Sequence, residues 1–439
     1  MGLRLTVIGT GYLGATHAAC MAELGFEVLG LDVDEAKIAA LNEGRVPFFE
    51  PELPQLLTKH VESGRLRFTT DVAEVAAWGD VHFICVGTPQ KADSFAADLR
   101  YVDASVDALA PLLTREALVV GKSTVPAGTA DRLAARIAEL APGGDAVELA
   151  WNPEFLREGF AVKDTLAPER LVIGVRSERA EKVLREVYTP LTDLDIPLIV
   201  TDFATAELVK VAANSFLATK ISFINAMAEI CETTGADVTQ LAAALALDSR
   251  IGGRFLHAGL GFGGGCLPKD IRAFMARAEE LGAGDAVAFL RDVDAINKRR
   301  RARMVDLARE QVGGDFTGRR IGVLGAAFKP NSDDIRDSPA LEVADTIRRA
   351  GGIVTLYDPE AMHNARLKYP ELGYAESTAK ACADADVVLH LTEWREFREM
   401  DPSLLDGVVA RRHIVDGRNA LDAARWRDAG WTYRALGRP

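Results

Sequence analysis

Cysteine is scarce. Cys20, Cys85, Cys231, Cys266 and Cys382 are five residues in 439, an odd number with no CxxC pair. That excludes a disulfide framework and predicts a chain kept reduced, as in the cytoplasm. Histidine is nearly as rare, seven residues without ligand-like spacing, so no metal site is expected. Positive charge is in deficit: 51 Lys and Arg stand against 64 Asp and Glu, a formal charge of −13. A field of that sign repels nucleic acid and anionic membranes, although a local cluster of cations can still hold one diphosphate. Long apolar runs are missing too. No stretch offers about 18 uncharged apolar residues, so no membrane-spanning helix is predicted. Residues 3–31 are apolar but are broken by Gly9, Gly11, Gly14, His17 and Glu23; they read as a buried strand and helix, not a leader.

What remains is ordinary and ample: 48% hydrophobic and 26% charged residues, enough for large cores. At roughly 100–200 residues per domain, the length predicts two or three domains. Short apolar runs at 3–8, 26–31, 81–86, 117–121, 148–151, 171–175 and 198–200 alternate with helical stretches, which predicts a parallel sheet covered on both faces. From 204 to 312 the pattern turns helical, with the run Lys298-Arg299-Arg300-Arg301 read as a solvated helix face. The α/β alternation restarts near Arg319, where Ile321–Gly325 echoes the first strand and its turn. The expected organisation is therefore an α/β chain of two Rossmann-like, doubly wound parallel-sheet domains. These are a dinucleotide-binding domain over 1–203 and a second nucleotide-binding domain over 313–439, joined by a helical connector over 204–312 that also carries a dimer interface.

Gly9-Thr-Gly11-Tyr12-Leu13-Gly14 follows the first strand and opens a helix. The first glycine permits the turn, the second lets backbone approach a pyrophosphate, and the third lets helix and sheet pack closely; the helix N-terminus favours the phosphates. Asp32 ends the second strand, where a carboxylate accepts both ribose hydroxyls and repels a 2′-phosphate, so NAD is expected over NADP. Lys37 is placed to reach the adenosine ribose or to stand on the surface. Thr88 follows the strand at 81–86, on the ligand side of such a sheet, while Cys85 inside that strand reads as core.

Gly259-Leu-Gly-Phe-Gly263-Gly-Gly-Cys266-Leu-Pro-Lys269-Asp270 crowds glycines before a cysteine at a helix start. Such a run gathers backbone N–H groups around one point, and a thiolate is favoured at a helix start beside a lysine. The same segment also fits a structural loop with an inert cysteine. Lys210 and Asn214 stand one helical turn apart. A lysine among apolar neighbours loses basicity and suits proton transfer or oxyanion stabilisation, unless it only snorkels at a domain edge. Thr124 and the stretch Asn152–Gly159, with Glu154 and Glu158, lie at strand carboxyl ends, where they bind ligands or merely cap turns.

Taken in order, GFGGGCLPKD, ELVKVAANSFLATKISFINAMAEIC and NPEFLREG resemble the UDP-glucose/GDP-mannose dehydrogenase family over essentially the whole chain. The resemblance implies a four-electron oxidation of the C6 hydroxymethyl of UDP-glucose to a carboxylate, with two NAD used in turn. Cys266 would carry the aldehyde as a thiohemiacetal and then a thioester. Lys210 and Asn214 would stabilise oxyanions. Asp270 would hold Lys210 or activate the hydrolytic water, and Thr124 and Glu154 would place a water or relay the substrate proton.

By matching position, the resemblance also implies cofactor contacts at Tyr12, Leu13, Glu158, Lys269 and Arg336. Substrate contacts are implied at Glu154, Phe155, Leu156, Arg157, Glu158, Lys210, Asn214, Phe255, Leu256, His257, Ala258, Gly259, Gly263 and Lys329. Arg250 would reach a partner's substrate across a homodimer or higher homo-oligomer, and Arg418 is a weaker phosphate candidate. Gly265 stands where many relatives have Ser, and Leu267 where some have Phe. Competing readings are a sister activity on GDP-mannose or UDP-N-acetylmannosamine, a simple β-hydroxyacid dehydrogenase, and a non-catalytic nucleotide-binding scaffold.

Overall fold

Alternate residues of each strand point to opposite faces of a sheet, and the first strands use that rule directly. Val7, Phe83, Leu118 and Val120 join one buried cluster, while Ile8, Ile84 and Val119 join another. A sheet buried on both faces accepts continuous apolar runs rather than alternating ones, which is why these strands were legible.

The computed structural model describes residues 2–439. Its first sheet has eight strands in the order β3-β2-β1-β4-β5-β6-β7-β8: β1 (Arg4–Ile8), β2 (Glu27–Leu31), β3 (Leu66–Thr69), β4 (Val81–Ile84), β5 (Ala117–Gly121), β6 (Val147–Trp151), β7 (Leu171–Gly174) and β8 (Leu198–Thr201). The pairings are parallel except between β6 and β7, which meet antiparallel at Trp151 and Gly174. The order reverses between β1 and β4, the place where open α/β sheets leave a ligand crevice at their carboxyl ends.

A second sheet of six strands runs β11-β10-β9-β12-β13-β14, built from β9 (Arg320–Leu324), β10 (Ile353–Tyr357), β11 (Gly373–Tyr374), β12 (Val387–His390), β13 (His413–Asp416) and β14 (Thr432–Ala435). All its pairings are parallel. The sequence reading located neither β3, β11 nor β14: β3 (LRFT) and β14 (TYRA) are interrupted by arginine and β11 has two residues, so no continuous apolar run marks them as it marks the other strands.

The helical stretch contains helices Phe203–Thr234, Val238–Ala246, Leu267–Glu280 and Phe289–Gln311. The chain divides into two compact units, Met1–Ala213 with Arg272–Gly284, and Asn214–Ile271 with Asp285–Pro439. The first contains the eight-stranded sheet and the second the six-stranded one. Both Rossmann-like sheets and the helices between them in sequence are thus present as expected.

The basic run on Phe289–Gln311 departs from its reading as a solvated face. Arg300 is fully buried and Arg301 nearly so. Arg300 pairs with Glu232 at 3.0 Å, and Arg301 pairs with Asp337 at 2.8 Å and with Glu342. Successive helix positions point about 100° apart, so four cations in a row cannot all face solvent when one side of the helix is packed. No helix among the described residues is long and apolar enough to cross a membrane.

Candidate active site

The three glycines of the first turn have three different surroundings. Gly9 takes φ +87, and a Cβ on it would meet Val86 Cγ1 at 2.6 Å. A Cβ on Gly14 would collide with the carbonyl oxygen of Gly9, whereas one on Gly11 would meet nothing within 4 Å. The turn and the helix contact therefore require Gly9 and Gly14 on internal grounds, and Gly11 leaves open space for a ligand's approach. Tyr12 starts the following helix. Its phenol donates to Glu50 and accepts from the Gly159 amide at 3.1 Å. Leu13 packs at the edge of the core.

At the end of β2, Asp32 Oδ2 accepts from the Thr10 amide at 2.9 Å and from Lys37 Nζ at 2.9 Å. Burial pushes this carboxyl up, but the bonds from Lys37, Thr10 and Asp34 outweigh it and hold the group below the usual aspartate range. It stands ionised at neutral pH, ready to accept further hydroxyl donors. Lys37 orients Asp32 with one of its three N–H donors.

Further along the same carboxyl-end edge, the Thr88 hydroxyl donates to the Thr124 carbonyl at 2.7 Å, and the Ser123 hydroxyl to the Val86 carbonyl at 2.6 Å. Two strand ends are thereby stitched together, and Thr124 is held through its backbone with its side chain half-buried. Glu154 Oε2 accepts from the Leu156 amide at 2.7 Å, and its other oxygen lies 3.0 Å from Lys210 Nζ. Lys210 is 4% exposed, with its ammonium 5.6 Å from the centre of the Phe155 ring. A buried charge needs a partner of opposite sign, and Glu154 is that partner. Arg157 is exposed and pairs with Asp164 at 2.6 Å, while Glu158 is half-buried.

The second unit holds the cysteine loop. Cys266 is exposed, whereas the other four cysteines are buried. It directly precedes helix Leu267–Glu280, and its carbonyl accepts the first helical bond, from the Asp270 amide at 2.9 Å. The thiol thus stands where the helix presents free N–H groups and partial positive charge. Asp270 is 2% exposed; it accepts from Asn214 Nδ2 at 2.6 Å and from Lys269 Nζ at 2.5 Å. The glycines before the thiol are packed against backbone and a cation. A Cβ on Gly263 would strike the Asp337 carbonyl, and one on Gly265 the Arg336 guanidinium. Arg336 itself pairs with Asp334 at 2.7 Å.

Residues 255–259 split by alternation. Leu256 and Ala258 are buried in a small cluster with Ile224, Ala228, Cys231 and Val238, which leaves backbone rather than side chains for any ligand there. His257 is exposed and Phe255, at φ +66, is half-buried. The Gly259 amide donates to Asn225 Oδ1 at 2.9 Å. Lys329 holds its ammonium 5.3 Å from the Phe328 ring centre. Arg250 is exposed and pairs with Asp248 at 2.6 Å. Arg418 turns inward: its guanidinium donates to the carbonyls of Leu391 at 2.7 Å, Gly261 at 3.0 Å and Phe328 at 3.0 Å. It ties the cysteine loop to the Lys329 segment.

Three buried residues escaped the sequence reading. Lys122 donates to Asn152 Oδ1 at 2.8 Å, and burial above all holds its amine below the ordinary lysine range. Glu50 accepts from the amides of Gly159 at 2.6 Å and Ala161 at 2.7 Å, and so fixes the end of the Asn152–Gly159 stretch. Glu207 accepts from two amides after Thr124. For Lys122 a signal was available, since a lysine ending an apolar strand beside Ser123-Thr124 is out of pattern. The two glutamates bind distant backbone, which leaves no local trace.

A glycine turn with open space at Gly11, an ionised Asp32 and a parallel sheet define a dinucleotide-binding dehydrogenase. Three family models match in order: the NAD binding domain over residues 3–192, the central domain over 204–299 and the UDP binding domain over 322–423. The chain belongs to the UDP-glucose/GDP-mannose dehydrogenase family. It is 44% identical to a UDP-glucose 6-dehydrogenase of Rhizobium meliloti over 100% of both chains. To the UDP-glucose 6-dehydrogenase TuaD of Bacillus subtilis it is 40% identical over 99% of this chain and 93% of the other. A solved UDP-glucose dehydrogenase from Pyrobaculum islandicum superposes with a TM-score of 0.92 at 39% identity, covering 100% of this chain and 98% of that one.

Proposed function

We propose that the protein oxidises the C6 hydroxymethyl of UDP-glucose to a carboxylate, with Cys266 as covalent nucleophile. The carrying observation is the setting of that thiol, an exposed cysteine at a helix start with the buried Asp270, held by Asn214 and Lys269, one turn on. NAD, held by Gly9, Gly11, Gly14 and Asp32, supplies the hydride acceptor for each of two oxidations.

Between those oxidations the chain's own groups carry the chemistry. Glu154, held by the Lys210 ammonium beside it, takes the proton from the substrate hydroxyl, with Thr124 orienting it. The Cys266 sulfur adds to the aldehyde carbon, and the carbonyl oxygen gains the proton; the adduct cannot escape and keeps a C–H for the second oxidation. The second oxidation removes the hydride and releases the adduct's hydroxyl proton to solvent, giving a thioester; water attacks it at carbon and passes a proton to Asp270. The C–S bond breaks and the leaving sulfur takes that proton, which restores the thiol. Lys210 and Asn214 stabilise the oxyanions.

UDP-glucose is favoured over sister sugars because the relatives named for it, at 38–44% identity, stand above the 28% of a solved UDP-D-ManNAc dehydrogenase from Pyrococcus horikoshii. The stripe Phe216, Phe223 and Ile230, exposed and seven residues apart on one helix, supports a homodimer, with Arg250 serving the partner's substrate. Assay with the three sugar nucleotides tests the reading. Two NADH per UDP-glucose are expected, and a Cys266→Ser variant should bind NAD normally yet release no acid. Undiminished uronate from that variant, or one NADH per sugar, overturns it.

A further inference from the structure

Glu207 is 2% exposed and sits three residues before Lys210 on helix Phe203–Thr234, so both side chains fall on one helix face. Its Oε2 accepts from the Gly128 amide at 2.7 Å and its Oε1 from the Ala130 amide at 2.6 Å. Those amides open helix Thr129–Leu140, whose first turn otherwise lacks a side-chain cap. Gly128 takes φ +92, a turn that begins at Thr124-Val-Pro126. Arg277 grips the same turn from another side, with Nε 2.9 Å from the Ala127 carbonyl. Beside the turn lies a cleft of about 240 Å³, lined in part by Pro126, Gly128, Thr129 and Arg277, so the turn has room to move when its grip loosens.

We propose that Glu207 is a positioning residue for the reaction. Through the Gly128 and Ala130 amides it sets where Thr124 stands relative to Lys210, and losing its charge releases the turn toward the adjacent cleft. The inference rests on the roles given above to Thr124, which orients the substrate hydroxyl, and to Lys210, which holds Glu154 and the oxyanions. An ionised carboxylate accepts with both oxygens. A protonated one must present an O–H in place of one acceptor, leaving one of the two amides poorly served.

Burial pushes the Glu207 carboxyl up to about 7, with Asp131 adding to the rise and the two amides and Arg277 opposing it. The switch therefore falls in the working range of pH. Asp131 faces it from helix Thr129–Leu140 and is paired with Arg176. Arg277 faces it from helix Leu267–Glu280 and pairs with Glu280 at 2.8 Å.

The test uses the full chain with UDP-glucose and NAD. In the wild type, kcat should fall through an ionisation near pH 7 as pH is lowered. E207Q should lack that limb between pH 6 and 8, with kcat about tenfold lower at pH 8.5 and KM changed less than twofold. Amide hydrogen exchange gives a second reading that does not need turnover. After correction for intrinsic rates, residues 124–131 should exchange faster in E207Q than in the wild type, and faster in the wild type at pH 6 than at pH 8.5. A wild-type pH limb in E207Q, or unchanged exchange over 124–131, overturns the inference. T124A and K210A separate the two layers. If both are inactive while E207Q behaves as wild type, only the role of Glu207 fails; if both retain full activity, the assignment beneath it fails.

Discussion

Asn214 Nδ2 lies 2.6 Å from Asp270 Oδ2, joining two helices through a carboxylate that is 2% exposed. With Lys269 on the other oxygen, both acceptors of Asp270 are oriented by donors, which fixes the carboxylate one turn after Cys266.

Asp270→Asn preserves size and removes the charge. It is expected to lower kcat by roughly 10²–10⁴-fold, the range for loss of a general acid–base group, while NAD affinity changes less than twofold. Rapid-quench analysis for an enzyme-bound thioester decides where the step fails. Accumulated thioester places Asp270 in hydrolysis; a variant as fast as wild type removes it from the chemistry.

The glycine turn predicts opposite outcomes for two similar changes. Gly14→Ala introduces a Cβ that collides with the Gly9 carbonyl and should destabilise the fold by about 1–3 kcal/mol, as overpacking does. Gly11→Ala meets no protein atom within 4 Å and should leave the melting temperature of the ligand-free protein unchanged while weakening NAD at least tenfold. Melting curves with and without NAD check both. A destabilised Gly11→Ala chain would mean that its open space serves the fold.

Asp32 is held ionised by Lys37 and by the Thr10 and Asp34 amides against burial. Asp32→Ser should raise the ratio of kcat/KM for NADP to that for NAD by at least tenfold, about 1.4 kcal/mol, because the repelling charge goes and Lys37 is left to meet a 2′-phosphate. An unchanged ratio would remove Asp32 from cofactor selection.

His82 is fully buried with Nδ1 2.8 Å from Thr6 Oγ1, and burial pushes its pKa down to about 3 from 6.5. Between those values the unfolded chain binds a proton that the folded chain refuses, so its contribution to stability is complete above about pH 6.5 and is lost as pH falls toward 3. Urea midpoints should drop from pH 7.5 to pH 5, and less steeply in His82→Gln. Parallel slopes in the two proteins would exclude this histidine as a source of acid sensitivity.

The parts of the site that were legible in the sequence are those whose cause is local. Gly9, Gly11, Gly14 and Asp32 act within one strand-turn-helix-strand unit, and Cys266 announces itself by the glycines beside it. Glu50 was invisible because its partners, Gly159 and Ala161, are more than a hundred residues away and are backbone amides that any residue would offer. Arg418 drew notice for its Asp-Gly-Arg-Asn setting, but its structural use was hidden: its guanidinium donates to three carbonyls, which only folding reveals. The basic run at 298–301 failed for a third reason, since composition counts cations without saying which side of a helix each one occupies.

The contrast between one surface thiol and four interior ones makes the chain its own reporter. Burial pushes Cys20, Cys85 and Cys382 up to about 12, which keeps them as unreactive thiols. An alkylating dye added to the folded protein should therefore settle on a single sulfur, that of Cys266, and its uptake counts intact surface thiols directly, preparation by preparation.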